Sequence, residues 1–244
     1  KPFAAHDVGT YPLANGQTYQ GDMPVEETGN MLIMTTAIAI ADGNADYAAK
    51  HWEILTAWSN YLAEAGMDPE NQLCTEDFAG HLAHNANLSA KAIMAIAGYG
   101  RLAEMLNKPE EAKKFTEMAK RMAIEWERRA DDGDHYRLAF DMPGTWSQKY
   151  NFVWDKVLGL NILPDRIMKK EVTFYLKTQN KYGLPLDNRF TWGKTDDTVW
   201  SATMADSEGD FQELIRPIWK YVNETSSRVP LGDWYETLNA DYIN

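Results

Sequence analysis

Residues 86–106 read ANLSAKAIMAIAGYGRLAEML, and residues 109–130 follow as PEEAKKFTEMAKRMAIEWERRA. The first stretch is rich in small and apolar residues on all sides, which predicts a buried helix. The second stretch carries an apolar stripe from Phe115 to Trp126 at helical spacing, with charges elsewhere, which is typical of an outer, half-exposed helix. Together they predict a helical hairpin that has one inner and one outer helix.

The same alternation of a buried and an amphipathic helix occurs at three other places in the chain. Short loops join the two helices of a pair, whereas long loops join one pair to the next. If the hairpins stack around an axis, all long loops lie at one end, beside the N-termini of the inner helices, where functional residues concentrate. The other predicted pairs are 25–42 with 45–65, 151–160 with 165–179, and 197–205 with 208–223, and the long loops are 1–24, 66–85, 131–150, 180–196 and 224–244.

This pattern predicts an all-α fold of the α/α toroid type, in which inner and outer helices form a ring. The four predicted hairpins fall short of the common six-hairpin ring, so we expect residues 1–244 to form a single domain with an incomplete toroid. We expect the missing hairpins to lie upstream, in the remainder of a longer parent polypeptide. An open, curved solenoid is the alternative architecture.

The composition argues against several classes of function. The net charge is −12, so nucleic acid and anionic membrane surfaces are poor partners. The single cysteine, Cys74, excludes an internal disulfide framework and a multi-cysteine zinc site. No apolar run approaches the roughly 20 residues that span a bilayer. The sequence contains no glycine-rich phosphate loop, dinucleotide fingerprint or CxxC motif, so we expect a small-molecule substrate and no cofactor.

Segment 1–30 offers the first candidate acid–base groups. Glu26 and Glu27 lie in a predicted first helical turn, where acids either interact with the helix dipole or form the floor of a cleft. In a cleft, desolvation would raise the pKa of a carboxyl group and suit it to general acid–base catalysis. The neighbouring His6 and Asp7 are equally ambiguous, because such a pair forms either a turn or a general base.

Segment 71–87, NQLCTEDFAGHLAHNAN, is unusually dense in Asn, His and acidic residues. Within it, Asp77 is the candidate for acid–base catalysis. His81 and His84 are three residues apart, but no HExxH motif or third ligand accompanies them, so no metal site is predicted. Asn85 either caps the following helix, which is the commoner role, or contacts substrate.

An acidic turn opens segment 131–150. Asp131, Asp132 and Asp134 surround Gly133 and resemble part of a calcium loop, but the twelve-residue pattern of such loops is not completed. A solvated acidic turn is therefore the favoured interpretation, and whether an ion binds there is left open.

Six blocks of the sequence are distinctive, namely PFAAHDVGTYPLANGQ from residue 2, MPVEETGNML from 23, DPENQLCTEDFAGHLAHNANLSAKAI from 68, DDGDHYRLAFDMPGTWSQKYNFVWDKVLGLN from 131, QNKYGLPLDNR from 179 and SSRVPLGDWYET from 226. Together they resemble the six-hairpin domain of the glutaminase A family, which is known from fungi and Bacteroides-type bacteria. The resemblance implies an (α/α)6 toroid, an extracellular or periplasmic location, and hydrolysis of L-glutamine to glutamate and ammonia. It also implies upstream sequence with the first hairpins and a β-rich region, but it transfers no catalytic residue.

The leading hypothesis is amide hydrolysis without a cofactor. A carboxylate, with Glu26 and Asp77 as first choices, would activate water, and His84 or Lys149 would stabilise or protonate the developing charges. Asp7 is a further catalytic candidate. The predicted substrate contacts are His6, Glu27, Asn85 and Trp146, together with Asp187 for the substrate ammonium and Arg189 or Arg228 for its carboxylate.

Two other classes of function remain open. A glycoside hydrolase would place two carboxyl groups at roughly 5–10 Å across an aromatic cleft. An amino-acid hydrolase would instead show one acid beside an Arg–Asp clamp. A non-enzymatic helical binding scaffold would show no convergent polar groups in its concave face.

Overall fold

A computed structural model describes residues 1–6, 9, 12–15, 23–75, 77–228 and 231–243. Helices dominate this part of the chain, and the only strands in it are two of three residues each. The predicted all-α class is confirmed. The helices are α1 Pro24–Asp42, α2 Asp46–Lys50, α3 Trp52–Ala65, α4 Ala86–Met105, α5 Pro109–Ala130, α6 Val153–Val157, α7 Asp165–Thr178, α8 Thr195–Thr203 and α9 Glu208–Glu224, and the strands are β1 Trp192–Lys194 and β2 Trp234–Glu236.

Two of the predicted helices differ from the observed ones. The stretch 45–65 is divided at His51 into α2 and α3. The stretch 151–160 is helical only over α6, which follows a short 3-10 turn. The helix ends early because Asp155 accepts hydrogen bonds from the backbone N–H groups of Ile162 and Leu163, at 3.0 and 3.3 Å, which turns the chain back on itself.

The chain forms two compact units. The first comprises Lys1–Arg129 and Trp154–Leu163, and the second comprises Ala130–Val153 and Pro164–Asn244. That the whole chain behaves as one domain stays a prediction. Among the described residues, no helix is both long enough and apolar enough to cross a membrane.

In the first unit, α1 packs directly against α4, and α3 packs against both. Most of α4 is buried, as its all-round apolar sequence predicts. The two inner helices approach closely at Gly98, where a Cβ atom would lie 2.6 Å from the Thr36 hydroxyl. At the start of α4, the Asn85 side chain accepts hydrogen bonds from two backbone N–H groups and caps the helix. The Asn85 cap thus fixes the N-terminal end of α4, where the long loop 66–85 ends.

In the second unit, α9 packs against α7 and α8, and β1 pairs antiparallel with β2. The strand register places Gly193 opposite Tyr235, whose ring stacks on Tyr221 at a centroid distance of 3.9 Å. The sequence contained no clear signal for these strands, because each is only three residues long. The pairing nevertheless fixes the long loop that precedes α8, and this loop carries much of the candidate site.

Candidate functional site

A buried ion pair joins the first turn of α1 to α4 in the first unit. The Lys91 ammonium lies 2.5 Å from Oε1 of Glu26, and both side chains are about 95% removed from solvent (5% and 3% exposed). The Thr75 hydroxyl donates a hydrogen bond to the same carboxylate oxygen. Lys91 also donates to Oδ1 of Asn30 at 2.7 Å. We refer to Glu26, Asn30, Thr75 and Lys91 as the Glu26 cluster.

The sequence places Lys91 where this contact is possible. Pro24 begins α1, which puts Glu26 in the first turn. One turn of helix further on, Gly29 leaves room for the Lys91 side chain, since a Cβ atom there would lie 2.7 Å from its Cγ. Our sequence reasoning missed Lys91, although it is the only charged residue within the apolar stretch 86–100. A single lysine in a buried helix indicates a partner carboxylate.

Glu27 lies beside this cluster in a different environment. Burial raises the pKa of Glu27 above its usual value, against the opposing hydrogen bond from Asn30. His6 Nε2 lies 4.0 Å from the Glu27 carboxylate, and both side chains are about one-fifth exposed. The structure therefore brings together three of the predicted residues, His6, Glu26 and Glu27. Asp7 lies outside the described residues.

The predicted residues of segment 71–87 are Asp77, His84 and Asn85, and the side chain of Asp77 lies outside the described part of the chain. Asp77 begins a 3-10 turn that extends to Ala79. Nδ1 of His84 lies 2.7 Å from Asp68, whose other oxygen binds Arg129. Burial alone would raise the pKa of Asp68, but the hydrogen bonds from Arg129 and His84 hold it below its usual value. The catalytic roles of Asp77 and His84, and a substrate contact by Asn85 beyond its capping bonds, stay predictions.

A cavity of about 480 Å³ in the second unit brings together three residues predicted to bind substrate, namely Trp146, Asp187 and Arg189. Asp187 is 4% exposed and accepts bonds from the Arg189 guanidinium at 3.0 Å (Nε) and 2.6 Å (Nη2). The Arg189 backbone N–H also donates to Asp187, at 2.8 Å. We call this space the Arg189 cavity. Its lining consists of Trp146, Thr178, Asn180, Pro185, Asp187, Asn188, Arg189, Phe190, Thr191 and Trp192.

Aromatic rings form one side of the Arg189 cavity. Phe190 and Trp192 stack with ring centroids 3.9 Å apart, and Trp234 packs edge-on against Trp192 at 5.2 Å. Trp146 packs edge-on against Phe174, with ring centroids 5.5 Å apart. Aromatic surface beside an ion pair lowers the local dielectric constant and strengthens its charge-assisted hydrogen bonds. Trp146, which was predicted from the sequence to contact substrate, is therefore part of this cavity wall.

Lys149 lies in the interior of the second unit and is fully buried. Its ammonium donates hydrogen bonds to the Tyr136 carbonyl at 3.1 Å, and to the carbonyl and hydroxyl oxygens of Ser147 at 2.8 and 3.0 Å. The Glu171 carboxylate lies 3.9 Å away. Lys149 does not line the Arg189 cavity, and its predicted catalytic role stays a prediction.

Arg228 and the acidic turn are the remaining features that were singled out in the sequence. Arg228 donates hydrogen bonds to three carbonyl groups of its own loop, at residues 225–227. Within the acidic turn, Asp132 accepts hydrogen bonds from the Gly144 backbone and from Arg137, which hold its pKa below the usual value. No group of three or more His, Cys, Asp or Glu residues in the described part of the chain could hold a metal ion. Substrate binding by Arg228 stays a prediction.

The helical hairpins and their loop-borne polar clusters define an all-α protein of the six-hairpin class. The chain matches the model of the Glutaminase A six helical-hairpin domain over residues 1–244, and it belongs to this family. The chain is 35% identical to Glutaminase A of Aspergillus oryzae (strain ATCC 42149 / RIB 40). The matched region covers 98% of this chain and 36% of the length of that relative. It is 29% identical to "Probable glutaminase/05536" of Arthroderma benhamiae (strain ATCC MYA-4681 / CBS 112371) over 94% of its length and 29% of that relative. The chain thus spans about a third of the length of these curated relatives.

Proposed function

We propose that this chain is part of a hydrolase that converts L-glutamine to L-glutamate and ammonia. The observation that carries the proposal is the Asp187–Arg189 pair in the wall of the Arg189 cavity. A free amino acid carries one carboxylate and one ammonium group. A guanidinium beside a carboxylate offers a complementary partner for each. The glutaminase names of two relatives support the same substrate class.

The alternative of glycoside hydrolysis is less well supported by the same cavity. Retaining and inverting glycosidases require two carboxyl groups that face each other across the scissile bond. Among the described residues that line the Arg189 cavity, Asp187 is the only acidic one, and it is bonded to Arg189. This lining matches a clamp, in which Asp187 and Arg189 bind the two charged groups of an amino acid, rather than a pair of catalytic acids.

The acid–base groups are a separate part of the proposal. Hydrolysis requires a base that takes a proton from water, attack of the resulting hydroxide on the amide carbon, and a proton for the departing ammonia. Glu26 is proposed as the base, with Asp77 as the second choice. Burial raises the pKa of Glu27, which favours the protonated form that a proton donor to the leaving group needs, so Glu27 is proposed as that donor. No cofactor is part of this scheme.

Substrate analogues test the clamp directly. Ammonia release by the full-length parent polypeptide is measured with L-glutamine, with glutaramate, which lacks the α-ammonium, and with 4-aminobutanamide, which lacks the α-carboxylate. Each lost charge-assisted hydrogen bond is worth about 1.5–3 kcal/mol, so kcat/KM should fall by about 10- to 150-fold for each analogue. Equal kcat/KM for all three substrates would contradict the clamp, and no ammonia from L-glutamine would contradict the activity.

The family resemblance also carries the proposal that the parent polypeptide acts outside the cell or in the periplasm. Cell fractionation with an antibody against this domain is the direct test. Recovery of the protein in the cytosolic fraction alone would contradict the proposal.

A further inference from the structure

Two chain segments run side by side behind the Arg189 cavity. The Gln148 N–H donates to the Leu186 carbonyl at 2.7 Å, and Ser147 and Asp187 form an antiparallel bridge. The Asn188 N–H donates to the Trp146 carbonyl at 3.2 Å. The position of the Asp187 backbone is therefore set by segment 146–148.

Segment 146–148 is in turn held by Lys149. The Lys149 ammonium donates hydrogen bonds to two oxygens of Ser147 and to the Tyr136 carbonyl. Two of these bonds thus hold the residue that forms the bridge to Asp187. The fully buried lysine therefore binds the segment that lies beside Asp187, although it does not itself line the Arg189 cavity.

Two further buried side chains complete this arrangement. The Tyr175 hydroxyl accepts a hydrogen bond from the Lys149 backbone N–H at 2.6 Å and donates one to the Glu171 carboxylate. Glu171 also accepts a bond from the Tyr136 backbone N–H at 2.9 Å. Burial, followed by the charge of Glu171, raises the pKa of Tyr175 well above its usual value, so the hydroxyl keeps its proton and remains a donor. Lys149, Glu171 and Tyr175 form the Lys149 network.

A buried charged network is not required for stability, because well-packed apolar residues often serve as well. A fully bonded network does fix one arrangement of the backbone, since every alternative leaves a buried donor or acceptor unpaired. In this protein, the arrangement that is fixed is the pairing of segment 146–148 with the segment that carries Asp187.

We propose that Lys149, Glu171 and Tyr175 are positioning residues that hold Asp187 in the register needed to bind the substrate ammonium. This inference rests on the proposed function of the Arg189 cavity. It assigns Lys149 to backbone positioning rather than to contact with the reacting atoms.

The test compares two tyrosine variants in the full-length parent polypeptide. Tyr175→Phe removes only the hydroxyl of the Lys149 network. Tyr99→Phe is the matched control, because Tyr99 is equally buried and its hydroxyl bonds to Thr56 at 2.6 Å in the first unit. Hydrogen exchange of the backbone amides and the steady-state constants for L-glutamine are measured for both.

We expect Tyr175→Phe to speed amide exchange at Gln148 and Asn188 at least tenfold and to raise KM about tenfold with little change in kcat. Tyr99→Phe should leave the exchange at these amides and KM unchanged. A role in global stability alone would lower the folded fraction, and hence the apparent kcat, without changing KM. Unchanged exchange at both amides, or faster exchange with an unchanged KM, would overturn the inference.

One further variant, together with the wild-type activity, keeps the outcomes distinct. Ser147→Ala removes the hydroxyl that accepts from Lys149 and leaves its carbonyl in place. It should therefore reproduce the Tyr175→Phe effects more weakly, and an unchanged exchange rate in this variant would count against the network. If the wild-type polypeptide releases no ammonia from L-glutamine, the proposed function fails, while the exchange rates still decide whether the network holds the Asp187 segment.

Discussion

Lys91 and Glu26 form an ion pair, 2.5 Å apart, between α4 and α1, and both side chains are almost fully removed from solvent. Asn30 and Thr75 accept further hydrogen bonds from the same ammonium, at 2.7 and 3.4 Å. Removing one member of such a pair leaves the other charge buried without compensation. The pair therefore links the stability of the inner helices to the proposed acid–base residue.

Replacement of Lys91 should destabilise the protein strongly. Lys91→Met leaves the Glu26 carboxylate buried without its cation, and we expect a loss of about 3–5 kcal/mol in the free energy of unfolding. Arg101→Met is the control, because the Arg101–Glu104 pair is exposed and should be worth less than about 0.5 kcal/mol. Urea denaturation of both variants measures the two losses, and losses of equal size would contradict the prediction.

Gly29 should be sensitive to the addition of a single methyl group. In Gly29→Ala the new Cβ atom would lie 2.7 Å from Cγ of Lys91, so the lysine must shift away from Glu26. We expect a loss of about 1–3 kcal/mol, as for other overpacked sites. Gly209→Ala is the matched helical control, since its nearest neighbour would lie 3.7 Å away, and it should be neutral or slightly stabilising. Thermal unfolding of the two variants is the measurement.

Glu27 should make the stability of the protein depend on pH. Its pKa is raised above 4.5 by burial, so the folded protein binds this proton more tightly than the unfolded chain does. The stabilising contribution is therefore fully present below about pH 4.5 and is lost as the pH rises through the folded pKa. Glu27→Gln should remove this loss, so that the variant gains stability relative to wild type as the pH rises above about 4.5.

Urea midpoints measured at several pH values test the Glu27 prediction. Glu224 is the control of opposite sign, because a hydrogen bond from Lys220 holds its pKa below the usual value. The contribution of Glu224 to stability is present above about pH 4.5 and is lost as the pH falls through its folded pKa. Glu224→Gln should therefore reduce the loss of stability at acid pH. A stability difference between Glu27→Gln and wild type that does not vary with pH would show that Glu27 is not desolvated.

The Arg189 cavity should determine the affinity for the amino-acid substrate. Arg189→Gln removes the proposed partner of the substrate carboxylate, and we expect kcat/KM for L-glutamine to fall by about 10- to 150-fold. Asp187→Asn should cause a loss of similar size, because the ammonium loses its ionic partner. Arg216→Gln is the control, since Arg216 is exposed and pairs only weakly with Glu213. Full activity in both cavity variants would remove the clamp from the mechanism.

The sequence predicted the helices better than the site. Helices α1, α4, α5, α7 and α9 begin and end within two residues of the predicted bounds, because their hydrophobic periodicity and their Pro and Gly punctuation are local signals. The short strands were missed, since three residues carry too little periodicity to indicate a strand. The break at His51 was missed as well.

The candidate site was predicted in part. The sequence singled out Glu26 in a predicted first helical turn, and it singled out Trp146, Asp187 and Arg189 in long loops, where functional residues concentrate. The partner of Glu26 was not found, because Lys91 lies 65 positions away and only helix packing brings the two together. Lys149 was assigned to catalysis from its residue type alone, and its place behind the cavity wall was not visible in the sequence.

The sequence by itself determined the all-α class, the alternation of buried and amphipathic helices, and membership of the glutaminase A six-hairpin family. These features depend on local periodicity and on residue identity, both of which can be read along the chain. Only the tertiary structure decided which charges meet, namely Lys91 with Glu26 and Lys149 with Ser147. Partners of this kind are selected by burial, because a charge removed from water must find its counterpart wherever the packed helices and loops present one.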